Sequence, residues 1–212
     1  VSLDAFDVHP LEKGFRLSFP NNTFYYIGFY GYKGGDDPRN TGYIISEHID
    51  NDGGVPDLLL GYNTGYQKYK SIVSYGAANY HHTYFKFGTP MEEYPNFSNP
   101  SPTQSGTLNN FVWNPGLTFS QSSAFFIDSN TKRVNWEIIS ENDLDISMEQ
   151  FPSQLRDTYT SLNIDNITFS QGSAILYLDE FTYEDFINVN SNSGNPLKNY
   201  SDEYYYYDWS VK

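Results

Sequence analysis

Apolar and aromatic residues recur in short runs, many alternating with polar ones, and each run is bounded by Gly, Pro, Asn or Asp. Phe15-Arg16-Leu17-Ser18-Phe19 alternates strictly, and Tyr43-Ile44-Ile45-Ser46 does so in part. Further runs are Leu58 to Tyr62, Ser71 to Tyr75, Thr83 to Phe87, Ser123 to Ile127, Val134 to Ile139 and Ala174 to Leu178. Period-two runs of this length, rich in β-branched and aromatic residues, predict strands. Little helical periodicity falls between them, which favours an all-β sandwich over alternating strands and helices. Two segments read as short connecting helices. Met148 to Tyr159 places Phe151, Leu155 and Tyr159 at helical spacing, and Tyr183 to Ile187 has room for one turn. Tyr94 to Leu108 carries Pro95, Pro100 and Pro102 among Asn, Ser and Thr and predicts a loop.

One segment occurs twice. Leu117-Thr118-Phe119-Ser120-Gln121-Ser122-Ser123-Ala124 returns as Ile167-Thr168-Phe169-Ser170-Gln171-Gly172-Ser173-Ala174, each copy leading into an apolar strand that ends in Asp128 or Asp179. Two copies are too few for a solenoid. The pattern reads as two similar hairpins with polar turns at Ser-Gln-Ser/Gly-Ser, or as a duplicated strand unit.

Composition narrows the function. With 212 residues the chain is expected to form a single domain, 1–212. Its 20 Tyr, 16 Phe and 3 Trp supply ample surface to bury, against disorder. A net charge of −14 offers no footprint for nucleic acid or an anionic membrane. No stretch reads as a membrane span. Cysteine is absent, which excludes disulfides, thiolate metal sites and Cys nucleophiles. Asn, Ser, Gly and Tyr stand where Lys and Glu are common, so an extracellular or cell-surface protein is expected. N-x-Ser/Thr sequons fall at Asn21, Asn96, Asn166 and Asn199.

The tract from Trp136 to Phe181 begins with Trp136-Glu137-Ile138-Ile139, continues through Asp143-Leu144-Asp145-Ile146-Ser147, and closes on Ile175-Leu176-Tyr177-Leu178-Asp179-Glu180-Phe181. This order resembles the C-terminal half of jelly-roll carbohydrate-binding modules. The resemblance implies a β-sandwich of jelly-roll type, glycan binding, and a structural Ca²⁺ held by Asp179 with acidic residues of the first strand. Asp4 and Asp7 are the candidates for that partnership. A second acidic cluster, Asp50-Asn51-Asp52-Gly53-Gly54-Val55-Pro56-Asp57, is similar to the calcium loops of thrombospondin type 3 repeats, one residue short. Alternate oxygens and a tight glycine bend suit a hard cation, making Asp50, Asp52 and Asp57 candidate Ca²⁺ ligands.

The aromatics are the main binding signal. They gather in Phe24-Tyr25-Tyr26-Ile27-Gly28-Phe29-Tyr30-Gly31-Tyr32 and in Tyr204-Tyr205-Tyr206-Tyr207-Asp208-Trp209. Successive strand residues face opposite ways, so about half of such a run points outward unless both faces are covered. Exposed Tyr and Trp offer flat apolar faces with a polar handle for sugar rings or another subunit. Tyr30, Tyr32, Tyr204, Tyr205, Tyr206, Tyr207 and Trp209 are therefore the candidate ligand-binding residues. Catalytic motifs are not spelled out: there is no G-x-S-x-G, H-E-x-x-H, Walker or Rossmann signature. His81 and His82, adjacent on a strand, point apart. Tyr84-Phe85-Lys86-Phe87-Gly88 is similar to a closing motif of one alginate lyase family, but that family's Arg-rich and Gln-x-His motifs are missing. The reading is a non-enzymatic, calcium-stabilised protein that binds polysaccharide or glycan. The alternatives are a structural subunit or adhesin that pairs with copies of itself through a terminal strand such as residues 203–211, and a glycan-active hydrolase or lyase.

Overall fold

A computed structural model describes residues 11–18, 24–34, 42–50, 57–77, 79–92, 101–107, 110–128, 135–141, 144–146, 157–159, 166–191 and 201–210. The chain is all-β. Its strands are β1 (Lys13–Ser18), β2 (Phe24–Tyr32), β3 (Tyr43–Asp50), β4 (Asp57–Tyr62), β5 (Lys68–Ala77), β6 (Tyr80–Gly88), β7 (Thr103–Thr107), β8 (Asn110–Asn114), β9 (Gln121–Asp128), β10 (Asn135–Ser140), β11 (Leu144–Ile146), β12 (Ile167–Tyr177) and β13 (Glu203–Ser210). A helix, α1 (Tyr183–Ser191), precedes β13. An eight-stranded antiparallel sheet has the order β10-β9-β12-β13-β6-β5-β2-β3, with smaller sheets β1-β4 and β11-β8-β7.

Over its described residues each strand-like run of the sequence lies on a strand, except that Leu178 falls just past the end of β12. Strand β7 corrects the loop expected over Tyr94 to Leu108, where Thr103, Gln104 and Ser105 pair with Asn114, Trp113 and Val112. Its polar sequence hid it, because an edge strand of a small sheet needs no apolar face. The helix at Tyr183 runs longer than one turn. Its first turn is a capping box: the Asp185 amide donates to Thr182 Oγ1 at 3.1 Å, and the Thr182 amide donates back to the Asp185 carboxylate at 2.9 Å. The Thr182 hydroxyl, 2.6 Å from the Asp185 carboxylate, and then the Thr182 amide hold that carboxyl below its usual range. Of the other expected helix, Asp157 and Thr158 are helical and the residues before them lie outside the described ones.

The chain divides into two compact units, residues 1–75 with 85–96, and residues 76–84 with 97–212. In the first, the two-stranded sheet β1-β4 layers its aromatics on those of β2 and β5. Phe15 meets Phe29 edge-on at 5.8 Å between ring centroids, and Tyr62 meets Phe29 at 5.3 Å. Tyr69 stacks on Phe29 at 5.7 Å. In β2, buried Tyr25, Ile27 and Phe29 alternate with Tyr26, Gly28 and Tyr30, as period two requires.

In the second unit, Phe111 and Trp113 of β8 pack on β9, β12 and β13. Phe111 meets Phe126 edge-on at 4.8 Å, and Trp113 stacks on Trp209 at 5.9 Å. The Trp113 ring lies directly against Gly172, where a Cβ would collide with it. Burying these rings against Ala124 and Gly172 supplies the apolar contact that holds the two layers together.

The repeated segment explains these small residues. Its copies are not hairpin turns: Ser-Gln-Gly-Ser lies inside β12, and the two copies pair with each other. Ala124 stands opposite Gly172, Ser123 opposite Ser173, and Ser122 opposite Ala174. Equivalent residues thus exchange places about a local two-fold axis through Ser123 and Ser173.

Candidate functional site

The residues that could meet a ligand sit on the face of β2 opposite the core. Tyr26, Gly28 and Tyr30 share that face. Glu47 of β3 stands opposite Gly28 in the ladder. With no side chain at Gly28, the two tyrosines lean together over it; a Cβ there would lie 2.7 Å from the Tyr26 hydroxyl and 2.7 Å from the Tyr30 ring. Their hydroxyl oxygens are 2.7 Å apart. Both reach the same carboxylate oxygen, Glu47 Oε1, at 3.1 Å from Tyr26 and 3.3 Å from Tyr30. Glu47 is exposed and both tyrosines are half-buried. Burial first, then the bond to Tyr30 and the nearby carboxylate, pushes the Tyr26 phenol well above its ordinary range. The phenol therefore stays a donor.

Lys70 of β5 packs its ammonium over the Tyr30 ring, 4.6 Å from the centroid, and burial lowers its pKa. On the opposite face of the sheet, where β2 ends and β3 begins, Tyr43 is 58% exposed and tilts against Tyr66 at 6.0 Å. Lys33 lies 5.3 Å from the Tyr43 centroid. Tyr66 rests on Gly31, again a position that a Cβ would close.

Tyr30 is the expected ligand residue that joins this cluster. Tyr32 is buried and packs edge-on against Phe87, so it presents no face to a ligand. Tyr205 and Tyr207 are buried too, and half-buried Trp209 stacks on Trp113. The burial of Tyr205 and Tyr207 corrects that expectation and follows from strand alternation over an aromatic layer, whereas Tyr32 shares its face of β2 with Tyr30 and is covered by its packing on Phe87 at the strand's end. Tyr204 and Tyr206 alternate with Tyr205 and Tyr207 and are half-buried. The Tyr206 hydroxyl bonds Ser173 and Asp208, and burial pushes its pKa up to about 12. Asp208 in turn lies 3.5 Å from His81. Tyr204 and Tyr206 are thus partly solvent-facing, but Tyr206 has its polar end engaged within the chain.

The expected metal ligands fare differently. Asp4, Asp7 and Asp52 lie outside the described residues, as do the side chains of Asp50, which ends β3, and Asp57, which begins β4. Asp179 is described, and its oxygens are taken. Oδ1 accepts from the Phe181 amide at 3.1 Å and from Ser201 at 2.9 Å; Oδ2 accepts from the amides of Asp202 at 2.6 Å and Glu203 at 3.2 Å. Asp179 is a loop-closing acceptor at the entry to β13. Among the described residues no group of three or more His, Asp or Glu side chains is placed to hold a metal ion.

Tyr26, Glu47 and Lys70 were missed in the sequence. The signal for Tyr26 was present, since Tyr26-x-Gly28-x-Tyr30 places two tyrosines on one face around a glycine. Glu47 depends on the β2–β3 register, which no local pattern encodes. The chain matches no family model, no curated protein and no solved structure.

Proposed function

We propose that the protein binds glycan through the Tyr26–Tyr30–Glu47 face of its first unit. The observation that carries this reading is the convergence of two phenols and a carboxylate on one point above Gly28, open to solvent through Glu47. Saccharides are recognised by donors and acceptors held at fixed spacing beside flat apolar faces. Here the half-buried rings of Tyr26 and Tyr30 flank the three oxygens; Tyr43, paired with Gly31, lies on the other face of the sheet. The resemblance of residues 136–181 to carbohydrate-binding modules points the same way, and export to the cell surface belongs to the same proposal. Calcium at the Asp50–Asp57 loop remains part of it; a melting temperature that a chelator leaves unshifted removes that element.

Strand-pairing assembly is the weaker reading. Strand β13 lies between β12 and β6, so both its edges are already paired within the chain. At one end of the large sheet, β3 is bulged between its pairings with Phe29 and Tyr30, and carries Glu47 and His48 exposed. At the other end, the Tyr183 hydroxyl donates to the Ile139 carbonyl of β10 at 3.3 Å. Bulges, charges and covered edges oppose edge-to-edge association.

Retention on a panel of immobilised polysaccharides tests the proposal. We expect retention on at least one, weakened about tenfold in Tyr30→Ala and unchanged in Tyr206→Ala. Failure of the wild-type protein to bind any polysaccharide overturns it.

A further inference from the structure

Tyr26 Oη, Tyr30 Oη and Glu47 Oε1 form a triangle with edges of 2.7, 3.1 and 3.3 Å. Each edge has the length of a hydrogen bond, yet the two phenols bring two protons and the carboxylate brings none. One of the three contacts therefore lacks a proton at any moment, and two oxygens face each other through lone pairs. A donor arriving above the triangle relieves that deficit. A sugar hydroxyl brings one proton; an ammonium brings three, in a threefold arrangement matched to three oxygens, and a positive charge that strengthens each bond.

We infer that this tripod takes the protonated primary amine of a 2-amino-2-deoxy sugar, in preference to a hydroxyl or an N-acetyl group. The inference rests on the glycan reading and names its ligand class. Among the described residues no Lys or Arg bonds Glu47, and Lys70 lies over the ring of Tyr30. An N-acetylated nitrogen offers a single neutral N–H and carries a carbonyl oxygen toward oxygens already crowded. The net charge of −14 adds long-range attraction for a polyamine chain, which is not selective by itself.

Calorimetric titration with a β-linked glucosamine tetramer and with its fully N-acetylated counterpart tests the inference. We expect the free-amine tetramer to bind at least tenfold more tightly. The double variant Tyr26→Phe/Tyr30→Phe alters no charge, and should bring its affinity down to that of the acetylated tetramer. Glu47→Gln should do the same, and the melting temperatures of both variants report whether they fold. Equal affinity for the two tetramers overturns the inference while glycan binding stands. Undiminished free-amine binding by the folded double-Phe variant also overturns it, by showing general charge attraction. If neither tetramer nor any polysaccharide of the panel is bound, it is the glycan reading that fails.

Discussion

Ser123 and Ser173 face each other across adjacent antiparallel strands with their hydroxyl oxygens 2.7 Å apart, and each is the seventh residue of its own copy of one eight-residue segment. Two copies of a strand sequence can pair with each other antiparallel only if the residues near the axis tolerate their own equivalents opposite them. Serine does, because a hydroxyl is both donor and acceptor. On the other face, the small residues flanking the axis leave the space that Trp113 fills.

The serine pair should behave as a coupled unit. Ser123→Ala and Ser173→Ala are each expected to cost about 1 kcal/mol, since each leaves the partner hydroxyl short of a bond in a largely buried site. The double variant should cost less than the two together, read from denaturant midpoints in a double-mutant cycle. Strict additivity would show that the bond contributes nothing.

Gly172→Ala should destabilise by about 1–3 kcal/mol, because the added methyl overlaps the Trp113 ring and the packed layer has no room to shift. The measurement is the urea midpoint, with Trp fluorescence reporting the local rearrangement. Gly34→Ala, where nothing lies within 4 Å of an added Cβ, is the matched control.

His82 sets a pH dependence. It is 1% exposed, its Nδ1 shares a hydrogen bond with the Tyr205 hydroxyl, and Tyr207 packs on its ring at 4.8 Å. Burial first, and then neighbouring His81, lower its pKa to about 4, partly offset by Asp208. Folded His82 is neutral. Below the ordinary histidine value the unfolded chain binds a proton that the folded chain refuses, so stability falls as pH drops from about 6.5 to about 4 and this contribution then levels off. The loss is about 3 kcal/mol in order of magnitude. Urea midpoints of wild type and His82→Gln across that window should differ in slope, the variant being flatter; equal slopes would remove the assignment.

Asp179→Asn should cost about 1–2 kcal/mol, because an amide accepts only through one oxygen where the carboxylate serves four donors on two. The same loss is expected with calcium and with a chelator present. A penalty that appears only with calcium would restore Asp179 as a metal ligand.

Much of the fold was legible because the strands are amphipathic: Phe15, Leu17, Ile27, Phe29 and Ala124 point inward at the alternate positions that period two assigns them. Strand β7 was not legible, since Thr103, Gln104 and Ser105 carry no apolar signal and gain their place from pairing with β8. The repeat was visible, but its meaning was not. Pairing across the sheet depends on where two distant strands meet, and Ser-Gln-Gly-Ser reads locally as a turn. The site divides the same way. Tyr30 followed from its cluster, and Tyr26 was missed although its spacing around Gly28 carried the signal, whereas Glu47 and Lys70 reach them from neighbouring strands. Tyr205, Tyr207 and Trp209 looked like contact surface because a run of aromatics does not reveal which alternate set faces the core.

A glycan bound as proposed touches the chain at the Tyr26–Tyr30–Glu47 face. The most direct measurement is the chemical-shift change of the tyrosine ring signals as an oligosaccharide is added. We expect shifts at Tyr26 and Tyr30, with Tyr204 and Tyr206 undisturbed. Shifts at Tyr204 and Tyr206 with Tyr26 and Tyr30 unchanged would contradict that placement.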